Sequence, residues 1–207
     1  MRTESLAIPE VLLITPSQFT DTRGVFVETW NAERCIASGI VGPFVQDNHS
    51  LSVRSGTVRG LHLQTEPNGQ GKLVRCVHGA IWDVAVDVRP GSPTFGKHVA
   101  AELSAANWRQ LWIPCGFLHG FCTLEPNTEV AYKVTASYNR DAERGVVWDD
   151  PQLALPWPVP PGKAMLSEKD ANLPPLASYG EGLIFPSSDR MRQMQFRSHG
   201  GSSASVA

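Results

Sequence analysis

At 207 residues the chain is long enough to bury a sizeable core without staples, most simply as one domain. Its 18 basic and 20 acidic residues nearly cancel, which argues against general attraction to nucleic acid or an anionic membrane. Any anionic ligand must be held by a local cluster of Arg and Lys. No run of about 18 apolar residues is present, so no transmembrane span is expected. Residues 1–9 carry Arg2 and Glu4 where a signal peptide has an apolar core, and a cytoplasmic protein is expected.

Gly (18) and Pro (16) punctuate short apolar runs, the pattern of an all-β fold. Asp21-Thr22-Arg23-Gly24 reads as a turn leading to Phe26, Glu28 and Trp30. A short helix is predicted from Asn31 to Ser38, with Asn31 as N-cap and Gly39 just past its end. The segment from Val58 to Gln64 alternates as a strand, with His62 on the face of Val58, Gly60 and Gln64. Lys72 opens an apolar strand over Leu73 to Val77, and His78-Gly79 supplies a hairpin turn into the next.

That next strand, from Asp83 to Val88, is the clearest. Trp82, Val84, Val86 and Val88 share one face, while Ile81, Asp83, Ala85 and Asp87 share the other. Val99 to Leu103, Arg109 to Ile113, Phe117 to Leu124 and Glu129 to Tyr138 continue the series. A helical turn begins near Ser167. Strands of this number and spacing predict an antiparallel sandwich or jelly roll with few helices and a concave interior. The domain is expected over 1–186, with 187–207 a polar, disordered tail. Cys35, Cys76, Cys115 and Cys122 lack Cys-x-x-Cys spacing and read as free structural thiols.

His62, Lys72 and Tyr132 offer a base, a cation and a phenol, a set suited to proton removal beside a carbonyl. Gly56 and Gly60 leave room near His62 for a ligand to approach the backbone. A histidine base needs an orienting carboxylate, for which Asp170, Asp150 and Asp83 are all candidates. Lys72, at a strand end, is expected in solvent, the alternative being stabilisation of an enolate oxygen. Tyr132 and Tyr138 share the parity of Val130 and Val134, so both should point inward, as core filler or, for Tyr132, as a proton donor. Arg59 and His62 have opposite parity and can face one pocket only if Gly60 bulges the strand. With no His-x-His pair, His62 and His119 are too few to ligate a metal.

Asp21-Thr22-Arg23-Gly24-Val25-Phe26, Gln46-Asp47-Asn48-His49-Ser50 and Arg59-Gly60-Leu61-His62-Leu63-Gln64 resemble blocks of the dTDP-4-dehydrorhamnose 3,5-epimerase family. So do Gln70-Gly71-Lys72-Leu73-Val74-Arg75, Pro93-Thr94-Phe95-Gly96, His119-Gly120-Phe121, Tyr132-Lys133 and Leu166-Ser167-Glu168-Lys169-Asp170-Ala171. The resemblance runs from about Ile8 to Ala171. It implies a cupin-type jelly roll acting as a homodimer without metal or organic cofactor. The partner molecule would be a dTDP-linked 4-keto-6-deoxyhexose, converted from dTDP-4-dehydro-6-deoxy-D-glucose to dTDP-4-dehydro-L-rhamnose.

By matching position, the resemblance makes His62 the base, Asp170 its orienting carboxylate, Lys72 the group beside the C4 oxygen and Tyr132 the acid. Substrate contacts are implied at Arg23, Glu28, Gln46, Asp47, Asn48, Arg59, Lys72, His119, Tyr138, Glu143 and Lys169, with the segment around Arg23 serving the neighbouring subunit. Leu63 and Leu118 depart from the family pattern, where an aromatic residue and an alanine are usual, and are expected to reshape packing near the site. The alternatives are an epimerase acting at C3 or C5 only and a non-catalytic sugar-nucleotide-binding jelly roll.

Overall fold

The computed structural model describes residues 1–40, 42–160 and 162–179; the tail expected over 187–207 lies outside the described residues. In chain order the elements are β1 (Arg2–Ser5), β2 (Leu12–Thr15), β3 (Gln18–Asp21), β4 (Gly24–Val27), α1 (Ala32–Ala37), β5 (Gln46–Ser52) and β6 (Val58–Gln64). They continue with β7 (Lys72–His78), β8 (Ala80–Asp87), β9 (His98–Ser104), β10 (Gln110–Ile113), β11 (Phe117–Thr123), β12 (Thr128–Val134), β13 (Glu143–Gly145) and α2 (Glu168–Ala171). A 3-10 turn, Leu176–Tyr179, follows.

A six-stranded sheet in the order β1-β2-β10-β7-β12-β5 faces a five-stranded sheet in the order β13-β6-β11-β8-β9. Neighbouring strands within both are antiparallel. This is the antiparallel jelly-roll sandwich that the spacing of turn residues predicts. β3 and β4 stand apart as a hairpin.

The alternation in β8 explains how the layers stack. Ile81 and Ala85 point between the sheets, where they meet Val74, Leu111, Val130, Phe117 and Phe121. Val84 and Val86 point the other way, onto Leu61, Leu63, Leu118, Val146, Leu153 and Leu155. Both faces of β8 are therefore dry, which is why its sequence is so strongly β-branched. α1 forms as predicted, with the Asn31 side chain accepting from the Arg34 N–H and Gly39 at φ +86° past its end. Its Cys35 joins Leu12, Ile14, Leu73 and Trp112 on the outside of the larger sheet.

Two local expectations are corrected. His78-Gly79 is not a hairpin: β7 pairs with β10 and β12, whereas β8 pairs with β11 and β9, so the chain passes between sheets there. Gly79, at φ +75°, makes this corner because a Cβ would lie 2.5 Å from Thr128 Oγ1. β12 ends at Val134, so parity does not carry on to Tyr138, which is 55% exposed. The seven-residue β5 and the short strands β1 to β4 and β13 add to the predicted series.

Candidate active site

β6 does not run straight past β11. His119 pairs with His62 and Phe121 with Arg59, so three steps of β6 oppose two of β11. The extra residue is taken up at Gly60, φ +116°. This bulge turns Arg59 and His62 onto one wall of a cavity of about 600 Å³. Gly60 does not leave room for a ligand, as its size suggested. A Cβ there would lie 2.6 Å from the His119 carbonyl oxygen and 2.7 Å from Gly120 Cα, so the space belongs to the neighbouring strand. Gly56 is likewise filled, by Val159 Cγ2 at 3.3 Å. Gly60→Ala should cost about 1–3 kcal/mol of stability and displace His62; a lowered melting temperature with reduced activity is the expected outcome.

α2 brings a carboxylate to this wall. The Ser167 hydroxyl caps it by accepting from the Asp170 N–H at 3.1 Å. Asp170 Oδ1 then lies 2.8 Å from His62 Nε2, and its Oδ2 accepts from the Gly60 N–H at 3.4 Å. Burial pushes the Asp170 carboxyl up, but the His62 hydrogen bond and charge, with the Gly60 N–H, hold it below the ordinary range. Of the three carboxylates open from sequence, Asp170 is thus the partner of His62. Asp150 instead accepts from the backbone N–H groups of Gln152, Leu153 and Leu176. Asp83 belongs to His119, whose Nε2 lies 2.7 Å from its Oδ1.

The opposite wall comes from the larger sheet. Lys72 is only 8% exposed, not the solvated strand-end lysine expected, and its ammonium donates to the His62 carbonyl oxygen at 3.3 Å. Burial drives its pKa down to about 8, against the pull of Asp83 and Glu143. Tyr132 points inward from β12, packs against the core and has its phenol pKa raised, chiefly by burial. His62 and His119 therefore face Lys72 and Tyr132 across the cavity.

Arg59 and Lys169 also line this space, with Arg59 fixed by the Ser52 hydroxyl and the Leu51 carbonyl, both at 3.1 Å. Lys169 pairs with Glu143 at 2.6 Å, and Glu143 accepts from the Tyr138 hydroxyl at 2.9 Å. Burial raises the Glu143 pKa, but these two hydrogen bonds outweigh it and hold the carboxyl low. Gln46 donates to Asn48 at 2.8 Å and accepts from the Tyr138 N–H at 2.9 Å. Glu28, Asp47 and Asn48 line an adjoining cavity of about 470 Å³ that shares Tyr132. Arg23 lines neither; it pairs with Asp21 at 2.6 Å on the exposed β3–β4 turn.

Sequence reasoning missed Ser50, Ser52 and Arg54 on the main cavity wall. The signal was the polar alternation Gln46, Asn48, Ser50, Ser52 along β5. Leu63 and Leu118 do not line the cavity: both belong to the outer apolar layer. All four cysteines are free, and burial raises Cys76, Cys115 and Cys122 to about 11, so they are poor nucleophiles. Among the described residues no cluster of three or more His, Cys, Asp or Glu could hold a metal ion. No described helix is long and apolar enough to cross a membrane.

Residues 5–178 match the model of the family described as dTDP-4-dehydrorhamnose 3,5-epimerase. The chain belongs to this family. It is 54% identical over 177 residues to dTDP-4-dehydrorhamnose 3,5-epimerase of Sinorhizobium fredii, covering 84% of this chain and 88% of that protein. It is 39% identical over 188 residues to dTDP-4-dehydrorhamnose 3-epimerase of Streptomyces niveus, covering 90% of this chain and 89% of the other. The crystal structure of dTDP-6-deoxy-D-glucose-3,5-epimerase from Legionella pneumophila in complex with dTDP-4-keto-L-rhamnose superposes with a TM-score of 0.85 at 42% identity, covering 90% of this chain and 98% of that one. The fold is accordingly the cupin-type jelly roll of the dTDP-4-dehydrorhamnose 3,5-epimerases. In this family member Arg54, Arg59, Lys72 and Lys169 line the cavity with Asp170, and with Glu143 paired to Lys169 and Asp83 acting on Lys72, the two guanidiniums are the cations left in excess. That excess of cations suits a diphosphate-bearing ligand.

Proposed function

We propose that this chain is a dTDP-4-dehydrorhamnose 3,5-epimerase, converting dTDP-4-dehydro-6-deoxy-D-glucose to dTDP-4-dehydro-L-rhamnose. The observation that carries this reading is the His62–Asp170 pair at 2.8 Å facing Tyr132 and a buried Lys72 across one cavity. C3 and C5 both flank the C4 ketone, so loss of either proton delivers charge to one oxygen. His62 removes the proton, and Asp170 orients its ring and stabilises the imidazolium. Lys72 stabilises the enolate oxygen. Tyr132 returns a proton from the far face, and solvent resets both groups. The ketone already acidifies the carbons beside it, so the scheme needs neither metal nor organic cofactor.

We further propose a cytoplasmic homodimer in which Arg23, carried on the β3–β4 hairpin, reaches a neighbouring chain's cavity. Phe19, Val25 and Phe26 are 60%, 46% and 69% exposed on that hairpin, an apolar surface that supports such docking. Arg59, His119, Lys169, Glu143 and Tyr138 would hold the sugar nucleotide, with Gln46, Asp47, Asn48 and Glu28 completing its contacts. Incubation with the 4-keto sugar nucleotide and the partner reductase should consume NADPH; no consumption, with active reductase and authentic substrate, would refute the assignment.

Tyr132→Phe should retain exchange of the abstracted proton with solvent yet lose inverted product, because the ring stays and only the far-face acid is removed. Proton NMR in heavy water reads both, and unchanged turnover would take Tyr132 out of the mechanism. A second reading, epimerisation at C3 or C5 alone, is favoured by the Streptomyces niveus relative named as a 3-epimerase. The same spectra separate it by which carbon loses its proton signal.

A further inference from the structure

Two buried side-chain polar atoms among the described residues have no hydrogen-bond partner: the Ser50 hydroxyl oxygen and Oδ2 of Asp83. Asp83 is the sharper case. It sits mid-strand in β8, wholly enclosed, between Phe121 of β11 and Ala101 of β9. A carboxylate in such a place is costly unless its charge is answered nearby. One oxygen is bound to His119 Nε2 at 2.7 Å. The other contacts no donor, yet Asp83 is the foremost charge acting on Lys72, the buried ammonium on the facing sheet. The remaining titratable groups around Lys72 are His62 and His119 on the histidine wall, Glu143 on β13 and the Cys115 thiol.

Burial lowers the His119 pKa, with Asp83 opposing it, so a neutral imidazole is the state the enclosure favours. A neutral ring beside a carboxylate must carry its proton on the nitrogen facing that carboxylate. One ammonium, one carboxylate and one neutral imidazole then leave this buried group with no net charge, which is the cheapest arrangement away from water.

We propose that Asp83 is a positioning residue of the epimerase: it fixes His119 as the Nε2–H tautomer and, through space, keeps Lys72 an ammonium beside the C4 oxygen. The proposal deepens the epimerase reading and rests on it. Asp83 touches no substrate; it acts through the two groups that do.

Asp83→Asn keeps an oxygen to accept from His119 and removes the charge. The alkaline limb of kcat, expected near pH 8 from Lys72 in the unaltered protein, should move down by about one pH unit, a tenfold loss of proton affinity. Activity at pH 6.5 should then be far less affected than activity at pH 8. A uniform fall in kcat with the limb unmoved would show a merely structural role and overturn the proposal. Should the variant fail to fold, 15N NMR of the intact protein labelled at histidine decides: Nε2 of His119 protonated and Nδ1 bare supports it, while the opposite tautomer or an imidazolium overturns it. Absence of turnover in the unaltered protein would instead count against the epimerase reading and leave the NMR result standing.

Discussion

Replacing His62 with alanine should lower kcat by about 10²–10⁴-fold, the usual contribution of a general base. Binding of dTDP should change little, because the role proposed for His62 is at the sugar and not at the nucleotide's phosphates. The bulge at Gly60 and the cap at Ser167 hold His62 and Asp170 in register, and neither depends on the imidazole. The folded structure should therefore survive. Solvent exchange at the sugar carbons should disappear together with product, which distinguishes this variant from Tyr132→Phe. Isothermal titration with dTDP and proton exchange in heavy water are the two measurements. Residual exchange near the original rate would assign the proton to another base.

Lys72→Ala should be almost as severe, about 10²–10³-fold in kcat or roughly 3–4 kcal/mol of barrier, because one oxygen collects the charge from both half-reactions. Its pH behaviour follows from the same burial. With the ammonium depressed to about 8, activity that needs it should decline as pH rises through 8. The linked effect on stability has the opposite sign. Between about 8 and the ordinary lysine value of 10.5 the unfolded chain binds more protons at this site than the folded one, so this group's contribution to stability grows as pH rises. Loss of activity just above pH 8 should therefore occur without unfolding by circular dichroism. In Lys72→Ala that alkaline limb should vanish along with most of the rate.

Much of this arrangement is legible in the residues. The parity of β8 names both of its buried faces, and Asn31 and Ser167 announce their helices. The inward aim of Tyr132 follows from Val130 and Val134. What cannot be read locally is set by packing between distant segments. The carboxylate of His62 lies 108 residues away, and no spacing rule chooses Asp170 over Asp150 or Asp83. The burial of Lys72 depends on a facing sheet, which a single strand's sequence does not reveal. Tyr138 fails the parity argument because β12 ends four residues earlier, at Val134. β1 to β4 are only four residues each, too short for alternation to register.

Two protons leaving and returning at the carbons beside one ketone is the feature on which the rest depends. It is tested most directly by turning over the 4-keto-6-deoxy sugar nucleotide in heavy water and reading the product by NMR. Deuterium at both C3 and C5, with both centres inverted, is the predicted result. Product formed with hydrogen retained at either inverted carbon would contradict it.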